Sequence, residues 1–194
     1  VLKTKYKVHA TKGNFNNHIG VPLTILSAPE ETEILIVEMG ANHQKEIGQL
    51  AAIAEPTLGY ITNYGKAHLE GFGGVQGIIK GKSELYDYIA QTAEGIALVN
   101  VDDTIQLEKS AKCRRTTFGK TDAQFTYTLE EEDEFAGIQF STTTESYSVQ
   151  SNLSGSFNCT NLAAAVALGR YFEVSTPSIV KALTDYVPAM NRVE

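Results

Sequence analysis

EILIVEM, residues 33–39, sets Ile34, Leu35, Ile36 and Val37 in a row between two acids. A strand covered on one face alternates apolar and polar side chains, whereas a run like this suits a strand covered on both. Close behind it, HQKEIGQLAAIAE (43–55) places Ile47, Leu50, Ala51 and Ala54 on one helical stripe that stops before Pro56. Strand followed by amphipathic helix is the building unit of a parallel sheet with right-handed crossovers.

Working outward, the same alternation recurs. KYKVHAT (5–11), LGYITN (58–63), GIALVN (95–100) and RTTFG (115–119) read as further strands. GVQGIIKGKSELYDYIAQ (74–91) and DDTIQLEKSAK (102–112) read as helices, the second with Asp102 or Asp103 as N-cap. From Phe125 to Val149 short alternating strands take over, predicting a small antiparallel patch near 120–155 added to the main sheet. The acidic run Glu130–Glu134 reads as a solvated turn. Helical patterning returns in FNCTNLAAAVALGRYF (157–172) and TPSIVKALTDY (176–186). The expected class is therefore α/β, a mostly parallel sheet flanked by helices.

A length of 194 residues suits one domain or a domain with an appendage. The net charge of −7 disfavours nucleic acid, whose affinity comes from Lys and Arg displacing counterions. Cys113 and Cys159 have neither metal-like spacing nor a disulfide framework, which fits a reducing cytoplasm. No apolar run reaches the length of a membrane span. The chain opens without Met in what reads as ongoing structure and ends in VPAMNRVE (187–194), so a fragment is expected.

In open parallel sheets, ligands gather beyond the C-terminal strand ends. Three such ends carry chemistry: TKGNFNN (11–17), EMGANH (38–43) and the loop of YITNYGKAHLEGFGG (60–74), which holds Lys66, His68 and Glu70. Glu38 at the tip of a buried strand would be costly unpaired, so it either meets a cation or caps a helix or pairs with a lysine. His68 is a lone loop histidine, structural by default, but it leaves a candidate strand neighbouring that of Glu38. Lys82 falls within the apolar stripe Val75, Ile78, Ile79, Leu85, Tyr86 and Ile89. Either it snorkels to the rim or it enters a site with lowered basicity. Asn14, Asn16 and Asn17 suit a turn or a sugar or peptide substrate. Asn158 and Asn161, three apart at a helix start, suit a cap or the edge of adenine. No GxxxxGK[ST] phosphate loop is present.

Taken together, TKGNFNNHIGVPLTIL (11–26), VEMGANHQKEI (37–47), ITNYGKAHLEGFG (61–73), KGKSELY (80–86) and GSFNCTNLAAAVALG (155–169) resemble the central domain of the Mur ligase family. The resemblance implies a central ATP-binding domain over 1–187 and, over 188–194, a junction toward a missing C-terminal domain. It implies Glu38 and His68 as Mg2+ ligands, and Lys82 as a lysine that is carbamylated to serve the same metal. It further implies Asn158 and Asn161 as adenine contacts, Arg192 near the nucleotide, and Asn14, Asn16 and Asn17 against a UDP-muramoyl-peptide. The expected reaction is ATP-driven joining of D-alanyl-D-alanine to UDP-N-acetylmuramoyl-tripeptide through an acyl phosphate, with the phosphate loop lying upstream of Val1. A non-catalytic nucleotide- or sugar-binding module, or a related ligase such as folylpolyglutamate synthetase, remains the alternative.

Overall fold

The computed structural model describes residues 1–65, 68–130 and 134–188. These form two compact units, one of residues 6–99 with 103–116, the other of residues 1–5, 100–102 and 117 onward.

The first unit alternates as the sequence predicts. In order it holds β1 (Val8–Ala10), α1 (Gly20–Leu26), β2 (Ile34–Ile36), α2 (Glu46–Ala54), β3 (Leu58–Tyr60), α3 (Leu69–Phe72) and α4 (Val75–Gln91). There follow β4 (Ile96–Asn100), α5 (Thr104–Lys109) and β5 (Arg114–Gly119), the two strands each ending in the second unit. β1 and β2 pair in parallel with Val8 opposite Ile34, and β3 and β4 pair in parallel with Leu58 opposite Ile96. These pairs belong to different sheets, β1-β2 alone and β3-β4-β5-β6.

That division corrects one expectation. Ile34 and Leu35 are half-buried and Ile36 is 46 % exposed, so the EILIVEM strand is not covered on both faces. Its sheet has two strands, which leaves less surface to pack against. The double coverage occurs instead in β4, where Ala97, Leu98 and Val99 are fully buried. Ile47 and Ala51 of α2 and Ile79, Leu85, Tyr86 and Ile89 of α4 meet Ala97 and Val99 in one core cluster. Each of the Ile, Leu and Val side chains in it contributes about 1.5–3 kcal/mol on burial. Tyr86 also donates its hydroxyl to the Leu98 carbonyl at 3.1 Å, satisfying the polar end of a buried ring.

Two helices escape the sequence reading. α1 begins where Asn17 Oδ1 accepts the N–H groups of Ile19 and Gly20, at 3.0 and 2.9 Å. Pro22 is tolerated because it lies in the first turn, where an N–H has no intrahelical partner to lose. α3 is a single turn ending in Phe72, whose ring is 2 % exposed against α4. The approach is close: a Cβ on Gly77 would lie 1.8 Å from the Phe72 carbonyl oxygen, and one on Gly81 would lie 2.5 Å from its ring. Only glycine permits this packing. In α5, Asp103 is the N-cap, accepting from Ile105 and Gln106.

The second unit continues with β6 (Phe125–Thr126), β7 (Thr128–Leu129), β8 (Phe135–Ser141), β9 (Ser146–Ser154), α6 (Phe157–Tyr171) and α7 (Thr176–Thr184). β6 pairs in parallel with β5, Phe118 opposite Phe125. One residue later the chain changes sheet. Tyr127, 3 % exposed, donates its N–H to Gly119, and β7 then runs antiparallel to β8 with Leu129 opposite Ile138. The antiparallel patch is thus a separate sheet, β7-β8-β9, and not an extension of the main one. Phe125 meets Phe140 edge-on at 5.4 Å and takes the Arg170 guanidinium over its face at 5.3 Å. Leu162, Ala163, Val166 and Ala167 are the buried side of α6. Among the described residues no helix is long and apolar enough to cross a membrane.

Candidate functional site

The loop after β1 grips the residues after β2. Thr11 Oγ1 accepts the Glu38 N–H at 2.9 Å, Asn16 Nδ2 donates to Glu38 Oε1 at 2.9 Å, and the Gly40 N–H donates to the Asn16 carbonyl at 2.8 Å. A Cβ on Gly40 would lie 2.7 Å from the Asn16 amide, so a side chain there would push the two loops apart. Glu38 is exposed, because β2 ends two residues before it. The sequence identifies this residue for the wrong reason: it is not a buried charge seeking relief but a surface carboxylate with one oxygen fixed by an amide. The helix-capping role considered for it falls instead to Glu84, at the start of α2. Of the three asparagines, Asn16 orients Glu38 and Asn17 caps α1, while Asn14 is exposed with its carboxamide bonded to none of the described residues.

The loop after β3 meets the loop after β2. His68, in the left-handed conformation at φ 58°, precedes α3 and lines an open depression of about 430 Å³ with Asn42, Leu69, Glu70 and Gly71. A Cβ on Gly71 would lie 2.3 Å from the Asn42 carbonyl oxygen, and Gln44 Nε2 donates to the Phe72 carbonyl at 3.0 Å. β2 and β3 are not neighbours in one sheet, as the sequence reading supposed. Their following loops are joined directly, by backbone contact. The EMGANH loop is itself fastened: against the desolvation of partial burial, the N–H groups of Asn42 and His43 and the His43 imidazole hold the Glu46 carboxyl below its usual range. Glu84 reaches across from α4 to accept the N–H groups of Lys45 and Gly48, at 2.6 and 2.9 Å.

Lys82 extends toward the same loops. It is half-buried, and its Nζ donates to the Asn63 carbonyl at 2.9 Å, at the start of the segment leading to His68. Burial pushes its pKa below the ordinary lysine value. The structure therefore joins the expected residues in pairs: Glu38 with Asn16, His68 with Asn42 across the depression, and Lys82 with Asn63. Lys66 lies outside the described residues.

A divalent ion suits this donor set in a limited way. Among the described residues no group of three His, Cys, Asp or Glu side chains could hold a metal by itself. Mg2+ needs fewer, since it retains waters and commonly takes one or two carboxylates plus substrate phosphates. Glu38 Oε2 takes no hydrogen bond from the described residues and is the oxygen left for such an ion.

In the second unit, Asn158 and Asn161 do share a face. Asn161 Nδ2 donates to Asn158 Oδ1 at 3.0 Å, and Asn158 Nδ2 donates to the Ser154 carbonyl at 2.8 Å. Phe157 beside them is 61 % exposed. Arg192 lies outside the described residues, as does most of the 188–194 junction.

A parallel α/β core whose strand-end loops present a carboxylate and an imidazole, with a helix-borne lysine amine reaching the second loop, matches a family at the level of sequence as well. The chain belongs to the Mur ligases: residues 1–169 match the Mur ligase middle domain. Among individual proteins, it is 35% identical over 185 residues to the UDP-N-acetylmuramoyl-tripeptide--D-alanyl-D-alanine ligase of Bacillus subtilis, covering 95% of this chain and 40% of that one. Against the Escherichia coli enzyme of the same name it is 35% identical over 164 residues, 81% of this chain and 36% of that. Among solved structures, MurF from Acinetobacter baumannii superposes over 100% of this chain and 43% of its own, with TM-score 0.87 and 33% identity. The MurF ligase from Thermotoga maritima in complex with ADP covers 98% of this chain and 44% of its own, with TM-score 0.81 and 27% identity. The chain thus spans about two-fifths of the length of the relatives it matches.

Proposed function

We propose that this chain is the central, nucleotide-handling portion of a cytoplasmic ligase that uses ATP to join D-alanyl-D-alanine to UDP-N-acetylmuramoyl-tripeptide. The observation that carries the reading is the junction of the loops after β2 and β3, which gathers the segments bearing Glu38, His68 and the Lys82 amine. That relatives over 95% of this chain bear the name of this ligase supports the substrate pair.

In this reading Glu38 Oε2 and His68 would hold Mg2+. When bound, the ion supplies charge stabilisation for phosphoryl transfer from ATP to the tripeptide carboxylate. Asn16 fixes the orientation of Glu38 by occupying its other oxygen, and Thr11 fixes its backbone. Lys82, with burial favouring its neutral form, is suited to carbamylation: the free amine attacks carbon dioxide, a nitrogen–carbon bond forms, and a proton leaves. The product is an anion with two oxygens where a cation stood. Asn158 and Asn161 read the adenine base, Arg192 serves the nucleotide, and Asn14 is the member of its loop left to meet the UDP-linked substrate. The amine of D-alanyl-D-alanine then displaces phosphate from the acyl phosphate, forming the amide.

The full-length polypeptide carrying this chain provides the test. ATP-dependent amide formation from the two substrates is expected, with a loss of about 100-fold or more in Glu38→Gln and in His68→Ala. The 194-residue chain alone is expected to give negligible turnover. Ligation of glutamate to a folate would assign the related ligase instead, and nucleotide binding without turnover by the full-length protein would leave only a binding module.

A further inference from the structure

The orientation of an asparagine amide is usually a free choice between two flips, but in α6 it is dictated by the backbone. The Ser154 carbonyl can only accept, so the Asn158 group 2.8 Å away must be its Nδ2. This turns Asn158 Oδ1 the other way, toward Asn161. An amide oxygen also only accepts, so Asn161 must present its Nδ2 to it, as it does at 3.0 Å. Asn161 is exposed and Asn158 half-buried. What remains directed outward is therefore one defined pattern: the Asn161 Oδ1 acceptor beside its second N–H.

We propose that Asn158 is a positioning residue that locks the Asn161 amide in the one orientation that selects a 6-aminopurine nucleotide over a 6-oxopurine. The proposal rests on the reading of this pair as the base-binding site. An acceptor beside a donor matches the 6-amino group of adenine and the ring nitrogen next to it. Hypoxanthine presents the inverse on the same edge, an oxygen acceptor beside an N1–H donor, and would pair only with the reversed amide. Locked, Asn161 rejects it; released, Asn161 can turn and accept either base. Phe157, 61 % exposed one residue before Asn158, offers an apolar surface at the same helix start that does not distinguish the two bases.

The test titrates the full-length polypeptide carrying this chain with ATP and with inosine triphosphate, by calorimetry at up to millimolar nucleotide. The wild type is expected to favour ATP by about tenfold, the discrimination typical of one bidentate amide–base pair. Asn158→Ala is expected to bring the ratio to within about twofold, mainly by improving inosine triphosphate binding. Asn158→Asp keeps an acceptor facing Asn161, so the preference should survive there even though the Ser154 bond is lost and both triphosphates bind more weakly. A merely structural role would make the two variants alike. An unchanged ratio in Asn158→Ala, or loss of preference in Asn158→Asp equal to that in Asn158→Ala, overturns the positioning role while leaving the site. Binding of neither nucleotide by the wild type overturns the base-site reading and this inference with it.

Discussion

Lys82 lies between Ile79 and Leu85 on a buried helix face, and that position has a pH signature. Its folded pKa is depressed by burial, so between the folded and unfolded values the unfolded chain binds more protons and stability rises with pH. Below the folded value both states are protonated and the burial penalty is present in full. Lys82→Met should therefore stabilise most, relative to the wild type, below the folded value, and that advantage should shrink as the pH rises toward the ordinary lysine value of 10.5. Urea unfolding across that range measures it; a difference that does not vary with pH would show that the amine is not desolvated. Lys82 was legible because a helix has a fixed period, so one charge in an apolar stripe stands out. Glu38 was found by an argument that fails in the structure, since sequence cannot show where β2 loses its hydrogen bonds. The partnership of Asn16 with Glu38 joins loops 22 residues apart and had no sequence signal at all.

At the level of elements, α2 is held at its start by two carboxylates from different places. Glu84 comes from α4, and Glu46 from the first turn of α2 itself. Glu84→Gln should cost about 1–2 kcal/mol in urea unfolding, since it weakens two charge-assisted bonds to backbone N–H groups. Glu46→Gln should cost about 0.5–1 kcal/mol at neutral pH. Because the Glu46 pKa is depressed, its contribution is present above the usual carboxylate value of 4.5 and is lost as the pH falls through the folded value. The variant and the wild type should then converge in acid; a gap that persists there would assign the cost to something other than ionisation. Long helices such as α4 could be read from their stripes. α1 could not, because Pro22 and a seven-residue length obscure it and its one signal, the Asn17 cap, reads equally as a turn or as a substrate loop. α3 is one turn flanked by positive φ at His68 and Gly73, below the length at which periodicity speaks.

For the molecule as a whole, strand and helix order was legible and sheet membership was not. Pairing is a non-local property, and nothing in EILIVEM announces that β2 partners β1 while β3 joins a different sheet. The change of sheet at Tyr127 is equally silent, because FTYTL reads as one continuous strand. Tyr127→Ala removes a buried ring from that crossing and should destabilise by about 3–4 kcal/mol. Hydrogen exchange should then lose protection in β6 to β9 before β3 and β4; uniform loss over both units would mean that the chain opens only as a whole.

The side-chain-free approach of α4 to Phe72 has a consequence for the chemistry. His68 begins the turn that Phe72 ends, and Lys82 directly follows Gly81. Imidazole and amine are thus mounted on a common bearing with no clearance, so their spacing is inherited from main chain and one aromatic ring. Drift among surrounding surface residues can leave that spacing intact over long evolutionary times, whereas a single methyl group at position 81 would wedge the mount open.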